Sequence, residues 1–101
     1  MTMKTILLNN GVEMPVLGYG VYLVSPEECE RCVLEAIGTG YRLIDTAQAY
    51  YNEEGVGAAI ARAIAEGKVT REELFLTTKV WISNVGYDKA KASIDESLRK
   101  L

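Results

Sequence analysis

The chain has 101 residues, with 11 Lys+Arg against 14 Asp+Glu, a net charge of −3 and no histidine. That length suits one small domain with a modest core, and the evenly spread, mildly acidic charge has no basic stripe, which argues against nucleic acid as a partner. Without histidine there is no Ser-His or Cys-His nucleophile and no histidine-ligated metal, so acid–base chemistry falls to Asp, Glu, Lys, Tyr or Cys.

In chain order, the opening Met1–Gly11 has one lysine and only a three-residue apolar run, Ile6–Leu8, unlike a signal peptide. No apolar run later in the chain nears the roughly 20 residues of a membrane span. The expectation is a soluble, cytoplasmic protein without a membrane partner. "TILLNNGVEMPVL" predicts a hairpin with a type I′ turn centred on Asn10-Gly11. Pro15 excludes its second arm from the centre of a sheet. "VLGYG" (Val16 to Gly20) is a short strand. Ser25-Pro26-Glu27-Glu28 then supplies an N-cap, a proline at the first helical position and a Glu three residues past the cap. That helix runs to about Ile37 and stops in "GTG".

"YRLID" (Tyr41 to Asp45) predicts the next strand. Asn52 caps a second helix whose first turn holds Glu53 and Glu54, where carboxylates favour the helix dipole. Val56, Ile60, Ala63 and Ile64 form its apolar stripe and Gly67 ends it. Thr70 to Glu73 is a short capped turn, and "LFLTTKVW" (Leu74 to Trp81) is a third strand. Ala90, Ile94, Leu98 and Leu101 mark the stripe of a third helix. A hairpin followed by three strand–helix pairs implies βαβ units, a parallel sheet and right-handed crossovers. No linker or low-complexity stretch divides residues 1–101, so one domain is expected.

Two motifs invite chemical readings that their context opposes. Cys29 and Cys32 form C-x-x-C, yet they fall on the same helical stripe as Val33, Ala36 and Ile37, already a turn into the helix; core packing is the better reading. "GYGVYL" contains G-x-G, but Leu23 stands where a third glycine belongs and the helix opens only at Ser25-Pro26, so it is no dinucleotide fingerprint. The glycines of "EGVGAA" serve close helix packing.

In parallel α/β folds, reacting groups gather beyond the C-terminal ends of the strands. Those ends are Gly20-Val21-Tyr22, Asp45 with Tyr50 just after it, and Lys79-Val80-Trp81. Asp45 and Lys79 neutralise each other where neither would be tolerated alone. A positive charge near the Tyr50 hydroxyl is expected to favour the phenolate, which would make that tyrosine a usable general acid for a carbonyl oxygen.

"LNNGVEMPVLGYGVY", "AIGTGYRLIDTAQAYYNEEGVGAAI" and "LFLTTKVW" together resemble the aldo-keto reductases, particularly bacterial members that reduce diketo-sugar acids and other small carbonyls. The resemblance implies the N-terminal hairpin and about three βα units of an incomplete (β/α)8 TIM barrel. It implies an oxidoreductase that transfers hydride from NADPH to an aldehyde or ketone. By position, Tyr50 is the proton donor and Asp45 and Lys79 are its supporting pair. Gly20, Val21, Tyr22 and Asp45 lie beside the cofactor, while Tyr22 and Trp81 line the substrate pocket. The fourth catalytic residue of the family, a histidine on the next strand, has no counterpart before Leu101, and a whole barrel takes about 250 residues. The 101-residue chain alone is therefore expected to be inactive. The alternative expectation is an inactive β/α module that self-associates through exposed sheet edges.

Overall fold

A computed structural model describes residues 4–101. Its first element is an antiparallel hairpin of β1 (Thr5–Leu7) and β2 (Glu13–Pro15), with Ile6 opposite Met14. The turn differs from the type I′ expectation. Type I′ needs positive φ at both central residues, and within Asn10-Gly11 only Gly11 has it, at 87°. The Gly11 N–H instead closes onto the Leu8 C=O at 3.0 Å, and the Leu8 N–H bonds the Val12 C=O at 2.8 Å. Asn9 and Asn10 are thus the central pair, and Gly11 is the left-handed residue that follows them.

Three further strands form a separate parallel sheet in the order β3 (Gly18–Gly20), β4 (Leu43–Asp45) and β5 (Phe75–Thr77). Gly20, Asp45 and Thr77 stand in register at its C-terminal end. Each strand is shorter than its apolar run suggests. The regular ladder ends at Asp45, only isolated backbone bonds link the two segments as far as the turn at Gln48, and the residues from Thr78 to Trp81 continue beyond β5 as loop. At the other end Arg42 leaves the strand, its guanidinium donating to the carbonyls of Ile37 and Tyr41 at 2.9 and 2.8 Å. Among the described residues there is no closed barrel: β3 and β5 are the sheet's edges.

The helices cover one face. α1 (Pro26–Thr39) begins after Ser25 as expected, but the Ser25 hydroxyl makes no capping bond, so the capping box is not formed. Cys29, Val33, Ala36 and Ile37 form its buried stripe. α2 (Glu53–Ala65) buries Val56, Ala59, Ile60 and Ala63, whereas Ile64 is exposed. With Val21, Ile44, Val69 and Leu74 these residues make the core. Two α2 glycines permit the close approaches their motif predicts. A Cβ on Gly55 would lie 2.8 Å from Cys29 Cβ, and one on Gly57 would lie 1.8 Å from the Lys100 carbonyl oxygen.

That second contact turns α3 (Tyr87–Lys100) differently from expectation. Ser97 is its buried residue, while Ile94 and Leu98 of the predicted buried stripe are exposed. A serine is small enough to let the end of α3 approach Gly57, and the apolar side of the helix is left facing outward. Of the two cysteines expected in the core, Cys29 lies there and Cys32 is only half-buried. Cys29 is buried, its Sγ donates to the Asn52 carbonyl at 3.6 Å, and burial, with the neighbouring Cys32, pushes its thiol up to about 11. A thiol held neutral in this way is a poor nucleophile.

Candidate active site

Asp45, the last residue of β4, is the centre of a small polar cluster at the C-terminal end of the sheet. Its Oδ1 accepts a hydrogen bond from the Thr77 hydroxyl across the ladder. Lys79 reaches back from the loop after β5 and donates to Asp45 Oδ1 and Oδ2 at 2.9 and 2.8 Å, and to the Thr46 carbonyl at 3.0 Å. All three ammonium hydrogens thus have acceptors. Burial pulls the Lys79 ammonium down, but the hydrogen bonds and charge of Asp45, with a contribution from Tyr50, outweigh it and hold its pKa above the ordinary lysine value.

Tyr50 arrives by a tight reversal. A 3₁₀ turn, Gln48–Tyr50, follows β4, and Tyr51 takes a left-handed φ of 57° to redirect the chain into α2. Lys79 Nζ lies 5.1 Å from the centre of the Tyr50 ring, within range of a cation–π attraction. The Tyr22 ring stands 5.2 Å from that of Tyr50 at a tilt of 52°. Of the adjacent tyrosines, Tyr50 is half-buried in this group and Tyr51 is exposed away from it. Asp45, Tyr50, Lys79 and Tyr22 are thereby brought together from three strand ends.

The remaining candidates are placed unequally. Gly20 lies opposite Asp45, and a Cβ there would meet nothing within 4 Å, so its backbone borders open space. Val21 is wholly buried, with its N–H on the Asp45 carbonyl at 3.1 Å; it braces the wall from behind and offers no surface. Trp81 is exposed at 43%, two residues beyond Lys79, with its N–H on Gln48 Oε1 at 2.8 Å.

Sequence reasoning missed Asn52. It sits at the N-cap position of α2, but its side chain makes no capping bond. Fully buried, it donates to the carbonyls of Val21 and Val24 at 3.0 and 3.1 Å and accepts from the Thr46 hydroxyl at 2.7 Å. It thereby ties the turn that carries Tyr22 to the start of the helix after Tyr50. Leu23, in the same turn, has a left-handed φ of 66°, which an unbraced leucine rarely adopts. Glu53 was also read only as a dipole partner; it is buried and accepts from the Thr78 hydroxyl at 2.7 Å. The local spacing carries no sign of either long-range bond. Among the described residues, no three Cys, Asp or Glu side chains converge as a metal site would need.

A phenol, an ammonium and a carboxylate in this order can deliver a proton and stabilise the anion left behind. The comparisons with known proteins bear on the family of the chain. The Aldo/keto reductase family model matches residues 17–101. The chain is 48% identical over 96 residues to morphine 6-dehydrogenase of Pseudomonas putida, covering 95% of this chain and 31% of that protein. It is 49% identical over 98 residues to glyoxal reductase of Bacillus subtilis (strain 168), covering 96% and 34% respectively. A crystal structure of a Bombyx mori aldo-keto reductase in complex with NADP superposes with a TM-score of 0.93 at 43% identity, over 100% of this chain and 35% of that one. The chain spans about a third of the length of the curated relatives it matches. It belongs to the aldo/keto reductase family.

Proposed function

We propose that this chain supplies the carbonyl-activating part of an NADPH-dependent reductase of small aldehydes or ketones. The observation that carries the reading is the two-pronged Lys79–Asp45 pair set 5.1 Å from the Tyr50 ring. The nicotinamide cofactor, when bound, supplies the hydride. The residues present fit one side of such a group: the open backbone at Gly20 and the exposed ring of Tyr22 border the space, and Asp45 has lone pairs beyond those facing Lys79. Gly20, Tyr22 and Asp45 would hold it, with Val21 as their support.

Tyr50 Oη gives its proton to the carbonyl oxygen of the substrate. Lys79 stabilises the phenolate that remains, and Asp45 fixes the ammonium in place and balances its charge. Tyr22 and Trp81 form apolar walls for the substrate. A partly dry site strengthens each of these electrostatic terms.

The test is a fusion in which residues 5–101 replace the matching third of the Bacillus subtilis glyoxal reductase. The fusion should oxidise NADPH with glyoxal. A folded fusion that binds NADPH and leaves glyoxal untouched would overturn the reading. The unfused chain should show no turnover, because one wall cannot hold a cofactor at fixed geometry. Turnover by the 101-residue chain would contradict this.

A second reading concerns that chain by itself. Among the described residues the outer edges of β3 and β5 carry no strand partner, and Val80, Val85, Ile94 and Leu98 are exposed. Bare edges and apolar patches recruit other chains. Light scattering should give a mass above the 11.1 kDa monomer; a clean monomer would refute self-association.

A further inference from the structure

Gln48 opens the turn that carries Tyr50, and no step above uses its side chain. Its half-buried amide makes four hydrogen bonds, two to the loop before α3 and two to α3 itself. Oε1 accepts from the Trp81 N–H at 2.8 Å and from Asn84 Nδ2 at 3.0 Å. Nε2 donates to the Ser93 carbonyl and to Ser97 Oγ, each at 3.2 Å. A primary amide has two donor hydrogens and two acceptor lone pairs, so this one is fully engaged.

The backbone shows why a side chain is needed there. Past the ends of β4 and β5 two bonds of the parallel pattern persist: the Thr46 N–H reaches the Thr77 carbonyl at 2.8 Å, and the Gln48 N–H reaches the Lys79 carbonyl at 3.1 Å, while the Thr46 carbonyl between them accepts Lys79 Nζ. A ladder that went on would next pair the Trp81 N–H with the Gln48 backbone carbonyl. That carbonyl instead accepts the Tyr51 N–H at 3.3 Å, closing the turn that brings Tyr50 round. The side-chain carbonyl of Gln48 takes the place its backbone carbonyl has left. The chain can therefore curl at Tyr50 without releasing the stretch from Lys79 to Trp81.

We infer that Gln48 is a positioning residue that holds Trp81 in register with Tyr50, coupling the wall of the substrate pocket to the proton donor through one amide. The functional part rests on the reading of Trp81 as a pocket wall; the register itself does not. Trp81 is the single tryptophan of the chain, which makes its behaviour directly readable.

The experiment compares the 101-residue chain with its Gln48→Met and Gln48→Glu variants, following hydrogen exchange at the Trp81 amide and the fluorescence anisotropy of its indole. Methionine fills the same space without hydrogen bonds. Glutamate keeps an acceptor for Trp81 and Asn84. With helical circular dichroism unchanged, Gln48→Met should speed Trp81 exchange about tenfold, the loss expected for one such bond, and lower the anisotropy. Gln48→Glu should stay near the parent. A space-filling role would give the opposite order. Parental protection in the Met variant, or no recovery in the Glu variant, would overturn the inference. Should Gln48→Met lose its helical signal, the parent decides: side-chain amide protons of Gln48 that exchange at the rate of free glutamine would overturn it, and protected ones would support it. No readout involves turnover, so failure here and failure of the reductase reading are separately visible.

Discussion

Replacing Asn52 with alanine should cost this chain a large part of its stability, although a cap-position asparagine would ordinarily be worth about 1 kcal/mol. The difference comes from where the side chain goes. Three hydrogen bonds disappear, to the Val21 carbonyl, the Val24 carbonyl and the Thr46 hydroxyl. Each is worth about 1 kcal/mol net, and stranding a buried partner adds about 1–3 kcal/mol. The Val21 carbonyl keeps the Val24 N–H at 3.1 Å, but Thr46 is almost wholly buried and loses the acceptor of its hydroxyl. The total is about 4 kcal/mol, against a typical domain stability of about 5–15 kcal/mol. With a urea slope of about 2 kcal/mol/M, the midpoint should fall by about 2 M. The assay is urea unfolding followed by circular dichroism, run at two protein concentrations to separate folding from association. A midpoint shift under about 0.5 M at unchanged slope would refute the brace assigned to Asn52.

Three further outcomes follow from the packing and the charges. Gly57→Ala should destabilise by about 1–3 kcal/mol, because its Cβ would sit 1.8 Å from the Lys100 carbonyl oxygen and α3 must move, whereas Gly38→Ala, with open space around it in α1, should stabilise by about 0.5–1 kcal/mol; urea midpoints check both. Lys79 has a raised pKa in the folded chain, so its contribution is complete below the ordinary lysine value near 10.4 and lost as pH rises through the higher folded value. As pH rises above about 10 the parent should therefore lose more stability than Lys79→Met, and equal losses would mean that Asp45 does not favour the charged lysine. In the fusion with the glyoxal reductase remainder, Lys79→Met should lower kcat by about 100-fold or more, within the range set by general acid catalysis, since the phenolate loses its cation; an unchanged kcat would leave the lysine a structural part only.

The legible parts of this molecule are those set by local pattern. α1 shows in its Ser-Pro-Glu-Glu start and in its apolar stripe, of which all but Cys32 are buried, and the turn before β5 in Thr70 and Glu73, where the Glu73 carboxylate accepts from the Thr70 N–H at 2.9 Å. The alternation of strands and helices implies the parallel order β3-β4-β5, and that order brings Asp45 and Lys79 within hydrogen-bond reach. What stayed hidden depends on partners far along the chain. Asn52 looks like a cap because its true acceptors lie 31 and 28 residues earlier. Gln48 looks like an ordinary turn residue because its partners belong to α3 and the loop before it. Ile94 and Leu98 read as a buried stripe because periodicity marks an apolar side without saying what covers it. Val21 shows the reverse case: a residue beside the site in sequence whose place is in the core.

The assignment of Tyr50 as proton donor is tested most directly by steady-state kinetics of the glyoxal reductase fusion with Tyr50 and with Tyr50→Phe. The substitution removes one hydroxyl and leaves the ring that packs 5.2 Å from Tyr22, so NADPH affinity should hold within about threefold. Loss of a general acid should lower kcat by about 10² to 10⁴. A Tyr50→Phe fusion that kept more than about a tenth of the parental kcat would contradict the donor role and, with it, the purpose assigned here to the Asp45–Lys79 pair.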